Sequence, residues 1–405
     1  MILRSVVLGL AVLLAGCGDA PLSASVALAD ALAGDTTGYA RADRVRPFVF
    51  PADHGPHEGF KTEWWYVTGN LRATDGTDRR FGVQFTVFRS ALSPDTSATR
   101  GSAWGTTQLY MAHVAIGDVA GRRFYSQERF ARGAAGLAGA SAVPVRAFLG
   151  PVELVGTGDA ASTFGGATAM RLTGSAEGAA FRLDARPARP VVLQGDRGLS
   201  QKGAEAGNAS YYYAQTRMTT TGTVTLPGEG GAAGEAVPVE GLTWLDREWS
   251  TSALGAGQTG WDWFALHLDD GRDLMLYQLR GADGSKDPLS EGSLVAADGT
   301  KTRLAAEAFT LEPLARWTSP GGAAYPTRWR VRVPSAGIDA TVTAAIEASE
   351  LDATVRYWEG AVDVAGSVSG TGFLEMTGYA DAGARRSGAL SRTTTGASEP
   401  AASGR

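Results

Sequence analysis

The chain has 405 residues and a formal net charge of −5. Its basic residues are scattered rather than gathered in a phosphate-tracking stripe, which argues against a nucleic-acid partner. A single cysteine in the whole sequence excludes a disulfide framework and a cysteine-bound metal cluster.

The N-terminus reads as an export signal. Arg4 supplies a positive start, and Val6 to Leu14 is an apolar stretch too short to span a bilayer as a helix. Leu14-Ala15-Gly16-Cys17 is similar to the lipobox of bacterial lipoproteins. That similarity makes 1–16 the expected signal peptide and Cys17 the expected lipidated N-terminus of the mature chain. The alternative is an ordinary secretory signal with an incidental cysteine. Acyl chains on Cys17 would anchor the protein at the periplasmic face of a bacterial membrane. Gly18 rather than an aspartate follows the cysteine, and by analogy with lipoprotein sorting this leans towards the outer membrane. Residues 17–44, rich in Ala, Ser and Asp, are expected to form a tether. Residues 383–405 are expected to be a disordered tail. The segment between them exceeds one typical domain of roughly 100–200 residues and predicts two.

The first strong element runs from Lys61 to Leu71. Side chains of a strand alternate between faces, so Glu63, Trp65, Val67 and Leu71 share one face, and Thr62, Trp64, Tyr66 and Thr68 the other. Phe81, Val83, Phe85 and Val87 alternate in the next strand. Gln108 to Gly117 could be buried on both sides. Arg132 to Ala142 and Gly156 to Gly178 are rich in Gly and Ala and read as loops or weak edge strands. Ser210 to Leu226 is long, rich in Tyr and Thr, and prone to strand. The Gly-rich run 228–235 is the expected seam between domains 45–236 and 237–382. Asp269-Asp270-Gly271-Arg272 sits between two apolar runs, 261–268 and 273–280, and signals a hairpin. Further strands are expected at 329–333 and 356–364, and 341–351 is the best candidate for a short helix. Strands at this spacing indicate an all-β protein of two barrels.

The candidate chemistry is carried by carboxylates, histidines and indoles. Glu63 is set among large apolar groups, where an unpaired charge is costly. It is either an acid with a raised pKa or a structural carboxylate paired with an arginine, for which Arg247 is the natural partner. Asp246 and Glu248 project from one strand face roughly 7 Å apart. They are either an acid/base pair or members of inter-strand ion pairs. His113 lies in an apolar strand and is either a hydrogen-bonded core histidine or a catalytic base. His267 shares a face with Trp261 and Trp263 and could line a pocket. His54, His57 and Glu63 could supply three metal ligands, but nothing else has metal-ligand spacing, and no metal is expected. No nucleophile elbow, phosphate loop or dinucleotide fingerprint occurs, so no cofactor is expected. Trp64, Trp65, Tyr66, Trp244, Trp249, Trp261 and Trp263 are either core or faces for a flat lipophilic ligand, such as the apolar interior of a barrel can hold.

Three ordered motifs carry a family resemblance. They are Glu63-Trp64-Trp65-Tyr66 with His57, Phe60 and Gly69; Trp244-Leu245-Asp246-Arg247-Glu248-Trp249 with Gly260-Trp261-Asp262-Trp263-Phe264; and Tyr357-Trp358-Glu359-Gly360 with Gly372-Phe373-Leu374-Glu375-Met376-Thr377-Gly378-Tyr379. Over roughly residues 45 to 382 the chain resembles the AttH-like and carotenoid-hydratase-like proteins. The resemblance implies a double lipocalin-like fold. It implies one of two functions. The first is a non-catalytic binder of a lipophilic small molecule, accessory to an ABC-transporter permease. The second is a hydro-lyase or hydrolase-type enzyme acting on a polyene or isoprenoid substrate. The hydratases tend to carry a histidine-rich segment where this chain has residues 244–249, and they work at the intracytoplasmic membrane. Both differences weigh against the hydratase reading.

Overall fold

The computed structural model describes residues 35–95, 102–158, 164–228, 233–252, 254–255 and 257–379. Cys17, the expected signal peptide, residues 17–34 of the expected tether and the tail from 383 lie outside the described residues.

Two antiparallel sheets make up the molecule. The first contains β1 (Thr62–Ala73), β2 (Arg80–Ala91), β3 (Gln108–Asp118), β4 (Arg123–Arg132), β5 (Ala138–Ala142), β6 (Val145–Leu149) and β7 (Val152–Gly156). It continues with β8 (Met170–Ala176), β9 (Ala179–Pro187), β10 (Val192–Leu193), β11 (Leu199–Gln201), β12 (Ala209–Pro227) and β13 (Ala233–Ser250). The second contains β14 (Gln258–Leu268), β15 (Asp273–Gly281), β16 (Glu291–Val295), β17 (Lys301–Ala305) and β18 (Thr310–Thr318). It ends with β19 (Ala324–Val333), β20 (Ile338–Ala344), β21 (Glu350–Leu351), β22 (Tyr357–Gly366) and β23 (Gly370–Thr377). Among the described residues the strand order is β4-β3-β2-β1-β13-β12-β9-β8-β7-β6-β5 in the first sheet and β17-β16-β15-β14-β23-β22-β20-β19-β18 in the second.

Each sheet curls around its own apolar face. Phe81, Val83, Phe85 and Val87 of β2 join Trp65, Val67 and Leu71 of β1 in the core of the first barrel, as their alternation predicts. Phe264, Leu266, Leu274, Trp329, Trp358, Val362 and Leu374 fill the second. The outer faces of the two barrels then meet. Tyr66, Tyr212, Ala214 and Trp244 of the first pack against Trp263, Ala265, Met275, Tyr277, Ala361 and Phe373 of the second. Polar clasps cross this seam. Asn70 Nδ2 donates to the Gly372 carbonyl at 2.7 Å. The buried Asp273 of β15 is held by Arg189 and Arg217 of the first barrel, each at 2.7 Å. β2 and β22 approach so closely that a Cβ on Gly82 would stand 2.8 Å from that of Ala361.

Three expectations need correction. The Gly-rich run 228–235 is not a domain seam: β12 and β13, which flank it, pair with each other in the first sheet. The chain leaves the first sheet after Ser250 and enters the second at Gln258. Glycine-rich composition does not by itself mark a domain boundary, because turns and linkers draw on the same residues. Residues 341–351 form no helix; Ile338–Ala344 is a strand whose alternate residues Ile338, Ala340 and Val342 enter the second core. Residues 35–44 are not free tether: Ala42 is buried, and the Tyr39 hydroxyl donates to the Ala91 carbonyl at 2.9 Å.

Candidate active site

The pairing of β1 with β13 decides which side chains can meet. Trp65 lies opposite Arg247, and Tyr66 opposite Asp246. Glu63, Trp65, Arg247 and Trp249 therefore occupy the inner side of the first sheet. Trp64, Tyr66, Asp246 and Glu248 occupy the outer side, which faces the second barrel.

Glu63 is fully buried, and so are Arg89 and Arg247, which both ion-pair with it. The His57 backbone N–H donates to both its oxygens, at 3.0 and 3.1 Å. The Arg247 guanidinium lies 3.8 Å from the Trp65 ring, and the His57 ring stacks on Trp249 at 3.7 Å. Burial alone would push the Glu63 carboxyl up, but Arg247, the His57 hydrogen bond and Arg89 outweigh it and hold it below the usual carboxylate range. The acid with a raised pKa is thus not found at Glu63, whose geometry is that of a structural ion pair. The metal alternative has no geometry either. Both ring nitrogens of His54 are occupied, by the Tyr213 hydroxyl at 2.6 Å and the Gly166 carbonyl at 2.9 Å. Among the described residues no group of three His, Cys, Asp or Glu side chains is placed to hold a metal ion.

The outer face is different. A cavity of about 340 Å³ lies between the barrels, a size found among small-molecule sites. Trp64, Tyr66, Phe88, Met111, His113, Tyr212, Asp246 and Glu248 wall it from the first sheet. Trp261, Trp263, Tyr277, Leu279, Tyr357 and Glu375 wall it from the second, and Lys202 and Phe130 complete it. The candidate cavity therefore lies between the barrels rather than inside one. Of the residues singled out in the sequence, Trp65 and Trp249 face the opposite side of the sheet, and Glu63 stands with them. Trp244 and His267 pack in the seam without lining the cavity. Trp244 Nε1 donates to Asp246 Oδ1 at 2.9 Å. His267 Nε2 donates to the Thr216 carbonyl at 2.7 Å, and burial lowers its imidazole to about 4.

Carboxyls in this cavity have few cationic partners. Burial raises Asp246 well above the usual range; the bonds from Trp244 and Tyr212 oppose the rise, and Glu248 and Glu375 add to it. Burial pushes Glu375 up to about 7 against the bonds from Trp261 and Tyr66; Trp261 Nε1 is 2.7 Å from its Oε1. Glu248 is the exception. It accepts from Ser210 Oγ at 2.5 Å and pairs with Lys202 Nζ at 3.4 Å. His113 contacts the Tyr357 hydroxyl through Nδ1 at 2.7 Å and Glu128 through Nε2 at 2.9 Å. The site thus joins two carboxyls raised above their usual range, Asp246 and Glu375, to an ion-paired one, Glu248. Glu375, Tyr357, Tyr212 and Lys202 were not foreseen. A signal for the first two was present, since both lie in the third motif, and a carboxylate in an apolar strand asks for an explanation there as it does at Glu63.

The model of the AttH-like family matches residues 41–379. The chain belongs to the AttH-like family. Among solved structures it is similar to an AttH protein from Nitrosomonas europaea, with 32% identity, a TM-score of 0.69, and coverage of 84% of this chain and 99% of that one. It is also similar to kievitone hydratase from Nectria haematococca, with 15% identity, a TM-score of 0.61, and coverage of 82% and 93%; at that identity the likeness shows the fold. No curated protein matches the chain. This AttH-like protein therefore has the lipocalin-like two-barrel fold that its motifs implied.

Proposed function

We propose that this AttH-like protein binds a neutral lipophilic molecule, of polyene or isoprenoid type, between its barrels and adds water across one of its double bonds. The observation that carries the reading is Glu375. It is a carboxyl at the wall of an aromatic cavity, raised to about 7 by burial, and the Lys202 of that wall pairs with Glu248 instead. A carrier has no use for such a group; a general acid needs one. Glu375 gives its proton to an alkene carbon. The aromatic faces of Trp64, Trp261 and Trp263 stabilise the cation that results. Water adds to the cation and loses a proton to Glu248, while neutral Asp246 orients the water. The net change is one water added across one double bond. The name of kievitone hydratase, a protein of the same fold, supports this class of reaction. An anchor at Cys17 would hold the cavity beside the membrane in which such substrates dissolve. A partnership with an ABC-transporter permease rests on the family resemblance alone.

The full chain, incubated with an acyclic isoprenoid polyene in ¹⁸O-labelled water, should yield a product heavier by one labelled water. Glu375→Gln should lower that yield by about 100-fold or more. Displacement of N-phenyl-1-naphthylamine from the protein by the polyene without any labelled product would leave a binding protein and remove the enzyme. Failure to bind either compound would remove both.

A further inference from the structure

Glu359 is a buried carboxyl that the reaction above does not use. It stands directly opposite Glu375 across β22 and β23, on the same sheet face. It is fully buried and lies outside the cavity wall. Three other buried acids of this protein have cations: Glu63 has Arg89 and Arg247, Asp262 has Arg280, and Asp273 has Arg189 and Arg217. Glu359 has tyrosines instead. The Tyr66 hydroxyl donates to its Oε1. Its Oε2 has no hydrogen-bond partner among the described residues, and Tyr357, two places earlier on β22, shares its strand face.

We propose that Glu128, His113, Tyr357, Glu359 and Tyr66 form a proton path that recharges Glu375 from solvent while a ligand fills the cavity. This deepens the acid–base reading and rests on it. At the inner end the Tyr66 hydroxyl donates to Glu359, which stands opposite Glu375 across the two strands. At the outer end the Tyr357 hydroxyl is 2.7 Å from His113 Nδ1, and His113 Nε2 is 2.9 Å from Glu128 Oε1. Glu128 is itself 19% exposed at its side chain and is fixed by the Thr354 hydroxyl at 2.8 Å. The path thus begins in water and ends at the acid. Two carboxyls opposed at such close range disfavour each other's ionisation, which favours a proton held between them.

When Glu375 releases its proton to the substrate, the Tyr66 hydroxyl turns its proton from Glu359 to Glu375 and takes the proton of Glu359 in its place. Glu359 is refilled in the same manner through Tyr357 and His113 from Glu128, which draws on solvent. The proton taken by Glu248 leaves through the cavity mouth with the product, so the tyrosines and the histidine end each cycle unchanged. The charged groups facing Glu375 are Asp246 and Glu248 from β13, with Lys202 beside Glu248, and Glu359 from β22. Tyr66 from β1 and Trp261 from β14 complete its surroundings.

The test is a pH jump followed by infrared difference spectroscopy. The carboxyl band of Glu375 is assigned with Glu375→Gln, and the cavity is filled with N-phenyl-1-naphthylamine. In Tyr357→Phe and in Glu128→Gln the reprotonation of Glu375 should be about 100-fold slower than in the natural protein. Equal rates would overturn the path, whereas a purely structural role would lower the melting temperature and leave the rate unchanged. If the probe does not bind, the binding reading fails. The path is then judged by the same comparison on the unfilled protein, where equal rates again overturn it.

Discussion

Glu63 and Glu375 are both carboxyls beside indoles, and their surroundings drive them in opposite directions. Two buried guanidiniums hold Glu63 ionised. Replacing it with glutamine leaves both arginines buried without their counter-charge. Glu63→Gln should therefore cost about 3–5 kcal/mol of stability in denaturant titration. A loss of ligand binding at unchanged stability would contradict the structural role. Glu375 has the reverse linkage. Its folded value of about 7 lies above the ordinary 4.5, so the folded state holds the proton more tightly. The stability this adds is complete below pH 4.5 and is lost as pH rises through about 7. Glu375→Gln should raise the melting temperature above pH 7 and change it little below pH 4.5. A difference independent of pH would show that the carboxyl does not titrate in that window. The Glu63 pairing with Arg247 was open to a reader of the sequence, because a dry carboxylate must find a cation. Arg89 was harder to see, since nothing along the chain says that Phe88-Arg89 runs beside residue 63.

Alternation within a strand was legible, and it separated the two faces of residues 62–71 correctly. Register between strands was not. Bringing Glu63 and Asp246 into one site would need β13 to be displaced by one residue against β1. The actual pairing puts Trp65 opposite Arg247 and so sends the two carboxylates to opposite sides of one sheet. A single sequence holds no record of that displacement, because either register gives each strand one apolar face. The same limit hid the cavity. Its walls come from outer faces whose aromatic residues look like core in any one strand. At this scale the tight crossing of β2 and β22 makes a prediction. A side chain at Gly82 would meet Ala361 and push the barrels apart. Gly82→Leu should cost about 1–3 kcal/mol and weaken N-phenyl-1-naphthylamine binding. Unchanged binding at reduced stability would mean that the cavity does not feel the spacing of the barrels.

At the scale of the whole molecule, two barrels were predictable from strand number and chain length, but the point of division was not. Composition pointed to the glycines at 228–235, but the strands on either side of them pair within the first sheet. The true passage, residues 251–257, is also rich in small residues but carries fewer glycines than 228–235. Its position follows from the pairing of β13 with β1, which closes the first sheet before the second begins. Every described strand before it belongs to one sheet and every described strand after it to the other. Fragment complementation follows. A chain severed between 250 and 258 loses no strand pairing, so each piece retains a complete apolar core and a sticky aromatic flank. Expressed separately, neither piece should bind N-phenyl-1-naphthylamine, because each carries half of the cavity wall. Mixed in equal amounts, they should restore binding with a concentration dependence that the intact protein lacks. Binding by either piece alone would place the ligand inside a barrel. The loop joining the barrels would then serve chiefly to set the local concentration of one half around the other.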